Sequence, residues 1–362
     1  MKICITISNN FEELFCNGLK YNVFLWYNFL ELCGYDVYLL CGDYESEYKE
    51  YSINILNHNY NIIKYNINNL KTLKETNFYQ DLHSLLCIGF RDNNLIKVMK
   101  TDNKKTIYVM LGNQYQYHIQ NIIDKNFLTY SDAINIFNEI WISPHFEYSK
   151  DYLECIYNTK VFVCPYIWEP FLLQDSMNSN TIKPIENTID VAIMESNINY
   201  CKNCLIPISI CELNEKDIDN VYVFSAHHLK ENKFVKEVLM NNEIIKKGKA
   251  SFEHRIKITD IVSKYCNVIV SCTENCALNY VFLECFYLGV PLIHNSEFLK
   301  DYGYYYPDLR INKTLGMFED IKNNFNKTDY IEKHKEVLFK YSMHNPMNQA
   351  WIQYKIDCLL QK

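Results

Sequence analysis

The chain has 362 residues, 48% of them hydrophobic and 22% charged, with a net charge of −7 and a pI near 5.8. That is enough sequence for two domains with cores of their own, and the balance excludes a disordered chain. It also argues against a protein built around nucleic-acid backbones, and no run of about 18 apolar residues is present to span a bilayer.

The first half alternates strand and helix signals. Lys2 to Ser8 reads as a strand, Asn9 to Gly18 as a polar turn, and Leu19 to Cys33 as an amphipathic helix stopped by Gly34. Strands follow at Asp36–Cys41, Asn61–Ile67, Ser84–Ile88 and Thr106–Leu111, with a short one at Glu139–Ser143. Between Pro165 and Pro184 the pattern breaks into a Pro-bearing polar stretch, then restarts. Strand Ile189–Met194, helix Cys201–Leu213, strand Val221–Phe224, helix Lys233–Met240, strand Ala250–Glu253 and helix Ile258–Tyr265 follow in turn. The expected organisation is an N-terminal Rossmann-like domain over 1–165, a linker over 166–186 and a C-terminal Rossmann-like domain over 187–340. A last segment, 341–362, holds an amphipathic helix from about Pro346 to Leu360 with Trp351, Tyr354 and Leu359, expected to pack back toward the first domain. Repeated alternation of this kind gives an α/β fold of two doubly wound domains, with a ligand cleft between them.

The most informative stretch is Cys266 to Asn295. Val268 to Val270 is a β-branched run suited to a strand covered on both faces. Ser271 to Asn275 is a polar turn containing Glu274, and Leu278 to Leu288 has helical spacing with Glu284 inside it. Gly289 ends that helix, Pro291 prevents its continuation, and Leu292 and Ile293 start another strand. A helix amino end at a strand's carboxyl end offers amides to an anion. Carboxylates beside those amides suit a ligand with hydroxyls as well as phosphates, a nucleotide-sugar. Glu274 would accept from sugar hydroxyls and Glu284 from ribose, with Ala277, Leu278 and Asn279 holding the diphosphate. The bland alternative makes Glu274 a helix cap and Glu284 a paired or solvated helix carboxylate. His294, Asn295 and Ser296 follow the next strand and should line the same pocket, with Tyr302 to Tyr306 as a wall or as plain packing.

In the first half, Asn17 and Gly18 lie at the turn after the first strand, where a glycine allows close approach to a ligand. Gly112, Asn113 and His118 follow the Thr106–Leu111 strand, and His118 is a candidate to assist the acceptor hydroxyl. His145 and the pair His227-His228 are weaker candidates. The fifteen cysteines are scattered through apolar segments; Cys201 and Cys204 form the one C-x-x-C pair, without a second pair or a His set, so neither zinc nor a redox site is expected. No basic segment leads into a hydrophobic core at the N-terminus, so a cytoplasmic location is expected and the sequons at Asn312 and Asn326 carry no meaning. Thirty tyrosines with abundant Asn, Ile and Lys look like the codon bias of a viral or AT-rich genome.

The segment ENCALNYVFLECFYLGVPLIHN resembles the donor-binding signature of GT-B glycosyltransferases of the group-one, retaining type. With PLIHNSEFLKDYGYYYPD it is more closely similar to an uncharacterised family of bacterial and viral glycosyltransferase-like proteins. The resemblance implies a GT-B fold, two Rossmann-like domains facing a central cleft, a nucleoside-diphosphate sugar as donor, a glycan or other hydroxyl acceptor, and neither metal nor cofactor. It favours retention over inversion. Two departures stand out. Nine residues separate Glu274 from Glu284 where the family has seven, and of the family's Arg and Lys, five apart, Lys202 matches the Lys while Asn197 stands in place of the Arg. Arg255 and Lys233 are candidates for the missing charge. Rival readings are a nucleotide-sugar epimerase of the same shape and a catalytically inert nucleotide- or carbohydrate-binding module. The oligomeric state is not legible.

Overall fold

The computed structural model describes residues 1–8, 18–45, 47–123, 134–173, 181–186 and 188–360. The chain divides into two compact units, 1–169 with 341–362, and 170–340. The division falls between Glu169 and Pro170, so 166–169 belong with the first unit rather than with a linker. Trp168 is held there, its backbone N–H donating to the Tyr341 carbonyl at 2.8 Å.

The first unit carries an eight-stranded sheet: β1 (Lys2–Thr6), β2 (Asp36–Asp43), β3 (Lys49–Ile55), β4 (His58–Asn66), β5 (Leu82–Cys87), β6 (Lys105–Met110), β7 (Glu139–Ile142) and β8 (Val161–Val163). Their order is β3-β4-β2-β1-β5-β6-β7-β8, parallel except for the β3–β4 edge hairpin. That hairpin turns on Leu56 and Asn57, both at positive φ (50° and 64°), as a two-residue turn matching strand twist requires. The Gly18–Leu32 helix is buried on most of its circumference, through Val23, Phe24, Leu25, Trp26, Tyr27, Phe29 and Leu30. A helix apolar nearly all round belongs inside a core, and the amphipathic reading of this segment fails for that reason. Trp26 meets Trp141 of β7 at 6.1 Å between rings, and Tyr27 meets Tyr60 of β4 at 4.9 Å.

The Pro346–Leu360 helix belongs to the same unit. Ile352, Ile356 and Leu359 are buried at helical spacing, Trp351 packs edge-on against Trp141 at 5.1 Å, and Tyr354 points to solvent, 67% exposed. Lys355 is 6% exposed; its ammonium lies 2.7 Å from the Glu139 carboxylate and over the Phe162 ring. Glu139 is also buried and accepts from the Trp141 indole N–H.

The second unit carries six parallel strands: β9 (Asp190–Ile193), β10 (Asn220–Val223), β11 (Ala250–Phe252), β12 (Val268–Val270), β13 (Leu292–His294) and β14 (Tyr304–Tyr305). The order β11-β10-β9-β12-β13-β14 places the first strand of the unit at the centre, with the chain running outward to each side of it. Ile189, Val191, Ile193, Val221, Val223, Val268, Val270 and Ile293 form the strand side of its core. Part of the aromatic run is therefore the edge strand β14, while Tyr306 is fully buried and donates to the Ser271 carbonyl. No helix among the described residues is long and apolar enough to cross a membrane.

Removing Lys355 strands the Glu139 carboxylate in the core. Lys355→Met is expected to destabilise the first unit by about 3–5 kcal/mol, read as a lowered denaturation midpoint.

Candidate functional site

In the second sheet the switch in strand order lies between β9 and β12, which pair in parallel with Val191 opposite Val268. Crevices at the carboxyl ends of such strands are where open α/β sheets bind ligands. Just beyond those ends Ser271 donates its hydroxyl proton to the Glu195 carboxylate. Glu195 is 2% exposed, and among the described residues its second oxygen, Oε2, has no hydrogen-bond partner. Burial pushes its carboxyl up to about 7, against the opposing pull of the Ser271 bond and the Lys202 charge. Sequence reasoning missed this residue. Its one signal was an acid placed directly after the apolar strand run DVAIM.

The loop after β9 is tied by asparagines. Asn197, at φ 56°, donates to the carbonyls of Glu195 (2.9 Å) and Ser225 (3.4 Å) and accepts from the Cys204 N–H (2.8 Å). Asn197 therefore shapes the loop and supplies no charge. Its own N–H reaches the Lys202 carbonyl, and the Lys202 N–H reaches the Asn199 side chain. The helix begins only at Leu205, so Lys202 sits in the loop, contrary to the helix expected from Cys201, and forms an isolated antiparallel bridge with Thr273. Cys201 and Cys204 are free, buried thiols, pushed up by burial to about 12 and 11. Among the described residues no group of three or more His, Cys, Asp or Glu is placed to hold a metal.

The turn after β12 is tied to the strand end beside it. Thr273 and Asn295 exchange hydrogen bonds (2.9 and 3.1 Å), yet the Thr273 hydroxyl is buried without a partner. Glu274 is exposed, and its N–H donates to the Cys201 carbonyl at 2.9 Å. Asn279 caps the Tyr280–Leu288 helix, accepting from the Val281 N–H at 3.4 Å. Glu284 lies in that helix and keeps some exposed surface, while the protein packed round it pushes its carboxyl up to about 7. Among the described residues, nothing hydrogen-bonds or ion-pairs with the side chains of Lys202, Glu274 or Glu284.

Three of the expected pocket residues turn out to be scaffold. His294 is 0% exposed, its Nε2 bonded to the Tyr302 carbonyl (2.8 Å) and its Nδ1 accepting from the Ser296 N–H (3.1 Å); burial pushes it down to about 4. Ser296, 1% exposed, donates to the Ala277 carbonyl at 2.5 Å, and Leu278 is 2% exposed. Each packs inward because the strand β13 and the helix after Asn279 close over them. Gly303, at φ 62°, has no room for a side chain: a Cβ there would meet His294 Nε2 and the Leu292 carbonyl at 3.0 Å.

Arg255 is exposed and lines a cavity of about 330 Å³ with Ser196, Ser225, His227, Glu253 and His254. These residues follow β9, β10 and β11, and the rings of His227 and His254 stack at 4.0 Å. Lys233 instead pairs loosely with Glu237 on its own helix, at 3.8 Å. A larger cavity of about 950 Å³ lies at the amino ends of the first sheet's strands, lined by Met1, Lys2, Asp36, His83 and Lys105. That is the wrong end for an α/β ligand site, and Lys2 there is taken up by Asp81 at 3.0 Å.

The candidates of the first unit form no comparable group. Asn17 lies outside the described residues. Gly18 is exposed at the start of its helix, and a Cβ there would meet nothing within 4 Å. A Cβ on Gly112 would meet the Tyr117 ring at 3.0 Å. Asn113 is 4% exposed, donating to the Tyr148 hydroxyl (2.8 Å) and accepting from the Gln116 N–H (3.1 Å). His118 does not have the free ring that acid–base work needs. Its Nδ1 lies 2.8 Å from the Tyr152 hydroxyl and its Nε2 3.0 Å from both Gln114 and the Tyr157 hydroxyl, because the Gln114–Ile123 helix turns it onto the Lys150–Tyr157 helix. Burial lowers its pKa.

The chain belongs to the family described as protein of unknown function DUF2827, whose model matches residues 2–355. No curated protein matches it. Among solved structures it is similar to sucrose-phosphate synthase from Thermosynechococcus elongatus, with 11% identity over 99% of this chain and 100% of that one, at a TM-score of 0.63. An alpha-glucosyltransferase in complex with UDP and a DNA 13-mer matches at 11% identity over the whole of both chains, TM-score 0.62. A glycosyltransferase from Rickettsia africae matches at 11% over 100% and 99%, TM-score 0.57. The fold is that of GT-B glycosyltransferases.

Two buried histidines hold β13 and the turn after it in their neutral form, His294 and His334, each pushed down to about 4. A histidine held below its unfolded value contributes stability above about pH 6.5 that drains away as pH falls toward 4. The second unit should therefore lose on the order of 3 kcal/mol per buried histidine across that window, read from melting midpoints between pH 7 and 4.

Proposed function

We propose that this member of an uncharacterised family transfers a sugar from a nucleoside-diphosphate sugar, bound by the second unit, to a hydroxyl acceptor, without a metal and with retention favoured over inversion. One observation carries the reading: charged side chains without ion pairs among the described residues lie on the loop after β9 and in the turn and helix after β12. Lys202 bridges to Thr273, in the turn that leads into the Asn279-capped helix, and among the described residues nothing pairs with the Glu284 carboxyl inside that helix. A cation with a helix amino end suits a diphosphate and stabilises it as a leaving group. A carboxylate able to accept from two adjacent hydroxyls suits ribose. Glu274 faces the sugar in this reading, Asn295 holds the turn that carries it through its bonds to Thr273, and the cavity with Arg255 takes the base. The UDP bound by one of the solved neighbours favours a uridine nucleotide. The net charge of −7 favours a glycan or other small hydroxyl acceptor over nucleic acid.

A thermal-shift panel of uridine, guanosine and thymidine diphosphate sugars tests it. The matching nucleotide at about 100-fold over its dissociation constant should stabilise the chain by about 2.7 kcal/mol. Glu284→Ala should abolish that shift; an unchanged shift removes Glu284 from the site. Released diphosphate marks transfer or hydrolysis, and isomerised donor would mark an epimerase instead.

A further inference from the structure

The acid behind Lys202 has no place in the transfer reaction as described. Glu195 is fully enclosed, anchored on one oxygen by Ser271 and orphaned on the other. The Cys272 backbone N–H also favours the ionised carboxyl, yet one buried oxygen is left unmatched, which is costly and is tolerated where it serves a site. The groups facing it come from three places. The loop after β9 contributes Lys202 and Cys204, the end of β12 contributes Cys272 and Ser271, and Tyr306 follows β14. Burial holds the two thiols near 11 and 12 and drives the Tyr306 phenol further up, so all three stay neutral at ordinary pH. Lys202 is the one facing group that carries charge, and no direct ion pair joins it to Glu195.

We propose that Glu195 is a positioning residue acting through Lys202: when a nucleoside diphosphate docks on Lys202, Glu195 takes up a proton from solvent, and the ammonium is left wholly to the phosphates. The inference rests on the donor-site reading above. Its logic is electrostatic. An ionised Glu195 competes with the phosphates for Lys202 and repels them at short range in a poorly solvated crevice. Two added negative charges raise the proton affinity of a carboxyl already poised near neutrality, and proton uptake then becomes part of binding. Bond-making is limited to the O–H on Glu195, with water or buffer as the proton source.

Calorimetry of UDP-glucose binding to the wild-type chain, at pH 7.5 in two buffers of different ionisation enthalpy, measures the proton directly. Net uptake of up to one proton per site is expected. The dissociation constant should be level near pH 6 and rise between pH 7 and 8.5, by at most about tenfold per unit. Glu195→Gln keeps shape and hydrogen bonding while removing the titration. It should match the wild type at pH 6, stay flat to pH 8.5, and bind more tightly than the wild type there, whereas Lys202→Met should weaken binding at every pH. Binding without proton uptake, or a Glu195→Gln loss of equal factor at all pH values, overturns this inference and leaves the donor site standing. If neither UDP-glucose nor GDP-mannose binds the wild type, the donor-site reading falls and takes the inference with it.

Discussion

The second unit depends on a constraint of handedness. Parallel strands joined by right-handed crossovers place their connecting helices on one face when the chain advances one way and on the other when it advances in reverse. Here the chain starts at β9, builds outward through β10 and β11, then returns to β12 and builds the other way. Connections on either side of the β9–β12 pair diverge, and their strand ends are left to side chains and loops. A notch of that kind leaves backbone groups that no neighbouring strand can satisfy. Asn197, Asn199 and Asn295 take them up, so the loop after β9 and the turn after β12 hold each other in place through the Lys202–Thr273 bridge.

Asparagine does a second job across the chain. Nine residues other than glycine adopt positive φ among those described, and six of them are asparagines: Asn57, Asn103, Asn135, Asn158, Asn197 and Asn275. The sequence has only nine glycines. Asparagine is the side chain that best tolerates the left-handed region, since its amide bonds locally to the backbone. A composition readable as codon bias is thus also a folding resource: turns that other chains build with glycine are built here with a residue that can also knit loops together.

This explains which parts were legible in advance. The buried strands β1, β2, β5, β6, β9 and β12 stand out as β-branched or apolar runs bounded by polar turns, because both their faces are covered. The β3–β4 hairpin did not, since its Leu56-Asn57 turn lacks the glycine that announces such turns and β3 is a half-exposed edge strand. The carboxyl-end location proposed for the site comes from strand–turn–helix order alone. Which polar residue faces a ligand and which faces the core was not legible that way. His294 and Ser296 follow a strand just as Asn295 does, and alternation along the chain sends them inward. His118 lost its candidacy to two tyrosines, Tyr152 and Tyr157, that only tertiary packing brings to its ring. Glu195 was missed for the converse reason: it is buried against Ser271, Cys272 and Tyr306, which only the fold brings to it.

Polar satisfaction separates scaffold from site in this unit. His294, Ser296, Asn295 and Asn197 all have partners, whereas the orphaned buried atoms of the second unit, among the described residues, are Glu195 Oε2, Ser251 Oγ and Thr273 Oγ1. Two of the three border the β9–β12 notch. Each unsatisfied group costs on the order of 1–3 kcal/mol, and a chain under selection for stability alone would remove a threonine hydroxyl with a single change to valine. Keeping Thr273 Oγ1 and Glu195 Oε2 unmatched at one strand switch, beside a lysine without an ion pair among the described residues, spends stability where the fold already leaves its strand ends open. Local rules fail together at the place where a ligand would complete them, and that coincidence is what the proposed donor site rests on.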